Sequence, residues 1–398
     1  AWRGLRAPGY WRRWPERFGS IRPAIGARVV WLHAVSVGEV QAAAPLVRAL
    51  LQKPEVSLLV TTATPTGSAR VAELFGEEVE QLYAPYDLPG AVARFLDRIQ
   101  PQLAIVMETE LWPNLFNGCR KRDIPLLLVN GRLSARSTAG YRRVPRLVAK
   151  TLAAVTAIAA QSPRDATRFA ALGADPGRIT VTRNLKYEQE LSPGLTEQAR
   201  EQRRLWGETR PVWIAGSTHE GEDELVLDAF RQVRRRLPDC LLVLVPRHPE
   251  RFADVAALCR RRGYRTVLRS EGIPCPGDTG VFIGDTMGEL MLFYAAADVA
   301  FVGGSLVHRG GHNLLEPAAA GIPLVTGPHV ANFQDICELL ERVGACRRVE
   351  NVSGLAAAVS HWLLHADERR QAGRRGSQAV ARNRGALDSV LAMVERYL

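Results

Sequence analysis

The sequence predicts an α/β protein with two doubly wound, Rossmann-like domains, each a parallel sheet covered by helices. Three observations carry this. Short apolar runs alternate with segments of helical spacing, the alternation starts afresh after residue 208, and 398 residues exceed what one hydrophobic core ordinarily organises. Hydrophobic residues at 46% and charged residues at 23% suffice for real cores, which excludes a mainly disordered chain.

The first apolar run, Val29 to Ala34, ends in Ser36-Val37-Gly38-Glu39 and is followed by Val40, Ala43, Leu46, Val47 and Leu50 at helical intervals. That pattern is a strand, a turn and a helix. Further strands are expected at Ser57–Thr61, Leu103–Met107, Pro125–Val129 and Ala157–Ala160. After the polar stretch Leu191–Glu208 the series resumes with Val212–Ala215, Leu241–Val245, Arg265–Leu268, Gly280–Ile283, Val299–Val302 and Pro323–Val325. The expected domains are therefore 1–190 and 209–398, joined by a linker at 191–208, with the last helix returning to the first domain.

A formal charge of +11 favours an anionic partner, whether nucleic acid, an acidic lipid surface or a phosphorylated substrate. No helix-turn-helix, RRM or zinc module is evident, so nucleic acid is not expected. Six cysteines stand far apart with no CxxC pair, and read as free thiols in a reducing compartment. No run of 18 or more apolar residues is long enough to span a bilayer. Ala1 to Ser20 interleave Trp2, Tyr10, Trp11, Trp14 and Phe18 with arginines, a mixture suited either to a membrane interface or to an arm packed on the domain. The chain opens without Met, and an upstream segment is expected to have been removed.

In open parallel sheets ligands collect beyond the carboxyl ends of the strands, and the unusual residues fall there. Glu39 stands beside Gly38 at a helix start, where the dipole favours negative charge. It reads equally as an ionised general base or as a helix cap. Glu108 and Glu110 follow the run Leu103–Met107, and in an extended segment they would point to opposite sides. Gly216-Ser217-Thr218 ahead of Glu222 resembles a phosphate-accepting helix start, to which Arg247 and His248 would add a guanidinium fork and an imidazole. In Gly303-Gly304-Ser305 and Gly310-Gly311-His312-Asn313 the glycines admit close backbone approach. Asn313 suits a cap, and Glu316 can accept two ribose hydroxyls.

The ordered series SVGEV, TPTGSARV, YDLPGAVARFL, METELWPN, GRLSARS, AAQSPRDATRFAALGA, STHEGED, PRHPERF, GDTMGELM, FVGGSLVHRGGHNLLEP and GPHVANFQDI resembles the Kdo transferases, from about residue 29 to 340. Those enzymes attach 3-deoxy-D-manno-octulosonic acid (Kdo) from CMP-Kdo to the lipid A precursor of Gram-negative bacteria. The resemblance implies a GT-B fold with two domains facing a cleft, an inverting reaction that needs no metal or other cofactor, and Glu39 as catalytic base. It implies that Ser217, Thr218, Arg247, His248, Gly288, Glu289, Ser305, Asn313 and Glu316 hold the cytidine monophosphate. Gly38, Thr64, Thr66, Gly67, Arg70, Glu108, Arg132 and Arg136 fall on the acceptor and Kdo-carboxylate surface. It also implies work at the anionic cytoplasmic face of the inner membrane. Two departures stand out: no apolar anchor precedes the first domain, and Arg183 occupies the place of a glycine before Asn184-Leu185-Lys186. The alternatives are another GT-B enzyme using a UDP-sugar, of epimerase or transferase type, and a non-enzymatic binder of anionic lipid.

Overall fold

A computed structural model describes residues 13–21, 26, 28–188 and 194–398. Trp2, Tyr10 and Trp11 of the aromatic arm lie outside the described residues. The chain divides into two compact units: Ala1–Glu188 with Asn383–Leu398, and Gln189–Arg382.

The first unit is built on β1 (Val29–His33), β2 (Ser57–Thr62), β3 (Glu80–Tyr83), β4 (Leu103–Met107), β5 (Leu126–Gly131), β6 (Ala157–Ala160) and β7 (Ile179–Val181). They form one sheet in the order β3-β2-β1-β4-β5-β6-β7, every pair parallel. Central strands are buried on both faces and so read as unbroken apolar runs. Their side chains nonetheless alternate. Val30, Leu32, Ile105 and Val129 enter one core, while Trp31, Ala104, Val106 and Leu128 enter the other.

The helices start where local chemistry supplies it. Pro65, Pro89, Pro113, Pro145 and Pro163 each open one, where a missing N–H is harmless. Ser36, Thr64 and Ser162 each accept a first-turn N–H. The closing helix Ala386–Val394 belongs to this unit, burying Ala386, Val390 and Val394 in the core that holds Val40 and Val47. The Glu188 carboxylate accepts the N–H groups of Gly385 and Ala386, each at 2.7 Å, and fixes that helix's start.

The second unit contains β8 (Val212–Thr218), β9 (Leu241–Pro246), β10 (Thr266–Leu268), β11 (Val281–Ile283), β12 (Val299–Val302), β13 (Leu324–Thr326) and β14 (Cys346–Arg348). Their order is β10-β11-β9-β8-β12-β13-β14, again wholly parallel. The stretch 191–208, expected as a linker, contains the helix Leu195–Trp206 inside this unit. Its apolar face explains that placement, because Trp206 is buried against Phe282 and Phe293.

Each sheet reverses its winding once. In the first unit β1 neighbours β4, and in the second β8 neighbours β12. The loops leaving these strands diverge to opposite faces and open a crevice at the switch point. Glu39 and Glu108 follow β1 and β4; Ser217 belongs to the end of β8, and Gly303 follows β12.

Candidate active site

The first-unit site is organised by the turn after β1. Ser36 caps the helix Val37–Leu51 by accepting the Glu39 N–H, and its hydroxyl donates to Glu39 Oε1 at 3.0 Å. Glu39 Oε2 accepts the Val35 N–H at 2.8 Å. This resembles a capping box shifted by one residue, so the capping role foreseen for Glu39 is present in the geometry. Two acceptors are engaged, and a carboxylate offers about four lone-pair sites, which leaves room for a hydroxyl.

Glu39 does not stay ionised in the manner expected at a helix N-terminus. Its pKa is pushed up to about 7, chiefly because the side chain is buried, with like charge from Glu108 and Glu110 adding to the rise. The Val35 and Ser36 hydrogen bonds pull the other way and do not prevail. Desolvation therefore outweighs the hydrogen bonds here.

Alternation would send Glu108 and Glu110 to opposite sides only along an extended segment, and both carboxylates act on Glu39 electrostatically. Glu108 has a left-handed backbone (φ 55), which breaks the extended path that alternation requires. Its carboxylate meets Lys186 Nζ at 3.1 Å. Glu110 accepts the Trp112 indole N–H at 2.7 Å, and Trp112 stands edge-on to His33. His33 is fully buried, with Nδ1 at 2.9 Å from Thr61 Oγ1 and burial lowering its pKa to about 4, so it is neutral at pH 7.

Thr64 caps the helix Pro65–Phe75 through the Gly67 N–H and reaches the Val35 carbonyl at 3.3 Å, tying that helix to the turn that carries Glu39. Thr66 is exposed beside it, and Arg70 pairs with Glu73 at 2.7 Å. Arg132 and Arg136 are exposed around the start of the helix Ala135–Tyr141. Sequence reasoning passed over Asn130 and Lys186. Buried Asn130 (φ 58) accepts the Leu185 N–H at 3.0 Å, which brings the Asn184-Leu185-Lys186 turn to the end of β5. The neighbouring Arg183 adopts φ 70, the left-handed angle that a glycine there would take freely, and its guanidinium donates to the Arg384 carbonyl at 2.8 Å.

In the second unit the two loops of the switch point are bolted together by Glu222. Its fully buried carboxylate accepts the N–H groups of Gly304 (2.7 Å), Leu306 (3.0 Å), Ser305 (3.1 Å) and His219 (3.2 Å). These backbone donors of the glycine stretch are thus taken by protein, not held open for a ligand. Burial raises the Glu222 pKa against the pull of those bonds.

Direct nucleotide contact by Ser305 and Thr218 does not fit their surroundings. Ser305 is fully buried, its hydroxyl donating to the Val302 carbonyl at 2.6 Å and accepting the Gly327 N–H at 2.8 Å. Thr218 is equally buried and donates to Asp223 at 2.6 Å. Both shape the loops from beneath. Ser217 takes φ 58, and its carbonyl would lie 2.5 Å from a Cβ placed on Gly303. Gly303→Ala should accordingly destabilise this unit by about 1–3 kcal/mol in denaturant unfolding, because the added carbon meets the Ser217 backbone and the hydrogen-bonded Glu222 carboxylate.

Glu289 is engaged by Arg269, whose Nη2 lies 2.8 Å from Oε1, and that ion pair lowers its pKa first. Gly288 supplies the left-handed turn before it (φ 84). Asn313 accepts the Leu315 N–H and donates to Glu316, both at 3.1 Å, so the foreseen cap and the foreseen ribose residue brace one another. Arg247 is half-buried and His248 exposed. Three further residues escaped the sequence reading: Arg251, which pairs with buried Asp223, and the histidines His219 and His312, whose Nε2 atoms lie 2.8 Å apart. The signal for the histidines was their position directly after strand and glycine turn, within motifs already singled out for other residues.

Comparison with known proteins agrees with this layout. Residues 12–189 match the family described as 3-deoxy-D-manno-octulosonic-acid transferase (kdotransferase). The 3-deoxy-D-manno-octulosonic acid transferase of Haemophilus influenzae is 42% identical over 99% of this chain and 93% of that protein. That of Bordetella pertussis is 39% identical over 100% of this chain and 94% of its own length. Among solved structures, the UDP-GlcNAc 2-epimerase from Neisseria meningitidis bound to UDP-GlcNAc superposes with a TM-score of 0.59 over 93% of this chain and 100% of that one. At 10% identity that likeness is one of fold, the GT-B class of two parallel-sheet α/β domains. The chain belongs to the 3-deoxy-D-manno-octulosonic acid transferase family of glycosyltransferases.

Proposed function

We propose that this enzyme transfers Kdo from CMP-Kdo to a hydroxyl of the lipid A precursor in one inverting, metal-independent displacement, with Glu39 as general base. The acceptor oxygen attacks the anomeric carbon, the bond from that carbon to the phosphate oxygen breaks, its electron pair leaves with CMP, and the hydroxyl proton passes to Glu39. Family membership supports the sugar transferred. The observation that carries the mechanism is a buried carboxylate at the switch point of the first unit, its pKa pushed up to about 7.

In this reading the second unit holds the nucleotide. Arg247, His248, Asn313 and Glu316 face the ligand, while Ser217, Thr218, Gly288, Glu289 and Ser305 set the loops. In the first unit Gly38, Thr64, Thr66, Gly67, Arg70, Glu108, Arg132 and Arg136 form the acceptor side. Attachment to the cytoplasmic face of an anionic membrane is supported by the +11 charge and by exposed Trp14, Phe18, Tyr86 and Leu88, of which Phe18 and Tyr86 touch edge to face at 5.5 Å. Among the described residues no helix is long and apolar enough to cross a membrane.

Incubation with CMP-Kdo and lipid A precursor should release CMP and add Kdo to the lipid by mass; turnover of a UDP-sugar instead would overturn the reading. The pH profile is a second check. A base must be deprotonated to act, so kcat/KM, which reports the free enzyme, should level off about one unit above the Glu39 pKa of about 7 and approach a tenfold fall per unit below it.

A further inference from the structure

The carboxyl ends of β8 and β12 bring together a histidine pair to which the mechanism above gives no part. His219 follows β8, and His312 lies beyond the glycine turn after β12. Their rings are nearly parallel, 7° apart with centroids at 5.0 Å, and their Nε2 atoms are 2.8 Å apart. His248 stands edge-on to His219 at 5.4 Å. Arg247, Arg251 and Arg309 add positive potential at His219, and Arg247 and His248 do so at His312. The nearby carboxylates are otherwise engaged: Glu222 by backbone N–H groups, Asp223 by Arg251 and Thr218, while Glu250 sits 4.0 Å from His248.

A nitrogen–nitrogen contact of 2.8 Å holds a single proton, so one ring donates through Nε2 and the other accepts. With both rings neutral, the accepting ring carries Nδ1–H and the donating ring a bare Nδ1. One added proton at that bare Nδ1 leaves the inter-ring bond intact and gives the pair two Nδ1–H donors and one positive charge. A second added proton would have to break the bond. The pair therefore has a capacity of one.

Burial first, and then the surrounding cations, hold both rings neutral in the free protein, with His219 lowered to about 4 and His312 to about 3. An anion against the pair reverses the second effect, and an opposite charge within a few ångströms raises such a pKa by roughly 1–3 units.

We propose that His219 and His312 form a one-proton clamp for the donor's phosphate, which meets one Nδ1–H and the pair's positive charge because the two Nδ1–H groups point apart, so that nucleotide binding to this unit takes up a proton. This rests on the reading of the second unit as the nucleotide-binding half. It also has a use in the reaction. When the sugar leaves, the phosphate changes from diester to monoester and gains negative charge, which the proton already held on the pair offsets.

The test uses the full chain and the methyl phosphodiester of CMP, whose phosphate keeps a single charge across the pH range and so adds no protons of its own. Calorimetry at pH 6 in two buffers of different ionisation enthalpy should show proton uptake. For a pKa rising from about 4 to about 6, affinity should be about fourfold higher at pH 5.5 than at pH 8. His312→Gln should abolish the uptake and flatten the pH dependence. Equal heats in the two buffers with an affinity flat in pH would overturn the clamp while leaving the nucleotide site standing, as would uptake that survives in His312→Gln. Absence of binding at every pH would overturn both.

Discussion

Glu39→Gln is expected to slow Kdo transfer by about 10²–10⁴-fold, the usual worth of a positioned general base, with the fold kept. The amide preserves shape and one acceptor oxygen. It gives up one of the two bonds that the carboxylate accepts from the Val35 N–H and the Ser36 hydroxyl. Loss of part of a helix cap costs about 0.5–2 kcal/mol, too little to unfold a unit with a core of this size. Nucleotide affinity should be unchanged, because the residues assigned to it lie in the other unit. Glu39→Ala loses both bonds and should show the same rate defect with a larger fall in melting temperature. Rate, melting and nucleotide binding measured side by side separate the two roles. A Glu39→Gln enzyme that turns over normally would reduce Glu39 to a cap.

The sheet was readable wherever it is covered on both faces. β1, β4, β9 and β12, and the first four residues of β5 and β8, are apolar runs because helices bury each side, and parallel pairing demands nothing else of the sequence. β3, β7 and β14 were not foreseen, and all three stand at sheet edges. Glu80-Gln81, Thr180-Val181 and Arg347-Arg348 are partly or wholly exposed there, so the hydrophobic signal is only half present. The site was legible as a set of loops and less so as a set of contacts. Position after a strand pointed to Glu39, Ser217 and Ser305 alike, yet Ser305 turns its hydroxyl and its N–H inward. Nothing in one sequence says which members of a conspicuous motif meet a ligand and which hold the loop that does. Nor did it indicate that burial would raise the Glu39 pKa against its hydrogen bonds, helped by the like charge of Glu108 and Glu110 brought from far along the chain.

Glu222 shows the same division from the other side, and its replacement carries the largest expected effect on stability. A motif reading treats it as the residue after a phosphate loop, whereas its carboxylate is the common acceptor for donors on two loops, His219 on one and Gly304, Ser305 and Leu306 on the other. Glu222→Ala leaves four N–H groups without that acceptor, those of Gly304 and Ser305 buried and those of His219 and Leu306 part-buried. Each unsatisfied buried donor costs roughly 1–3 kcal/mol, and water entering the space recovers part, so a net loss of about 3–5 kcal/mol is expected. Glu222→Gln should fall between, because the amide carbonyl still accepts while its NH2 confronts donors. The functional consequence follows from geometry: released loops no longer hold His219 opposite His312, so affinity for the CMP phosphodiester should drop in the same order, alanine below glutamine below the native residue. Unfolding by denaturant and calorimetry on the three proteins would show whether stability and binding fall together. A Glu222→Ala chain that unfolds within about 1 kcal/mol of the native one would mean that the loops hold their shape through packing alone, since one good hydrogen bond is worth about that much.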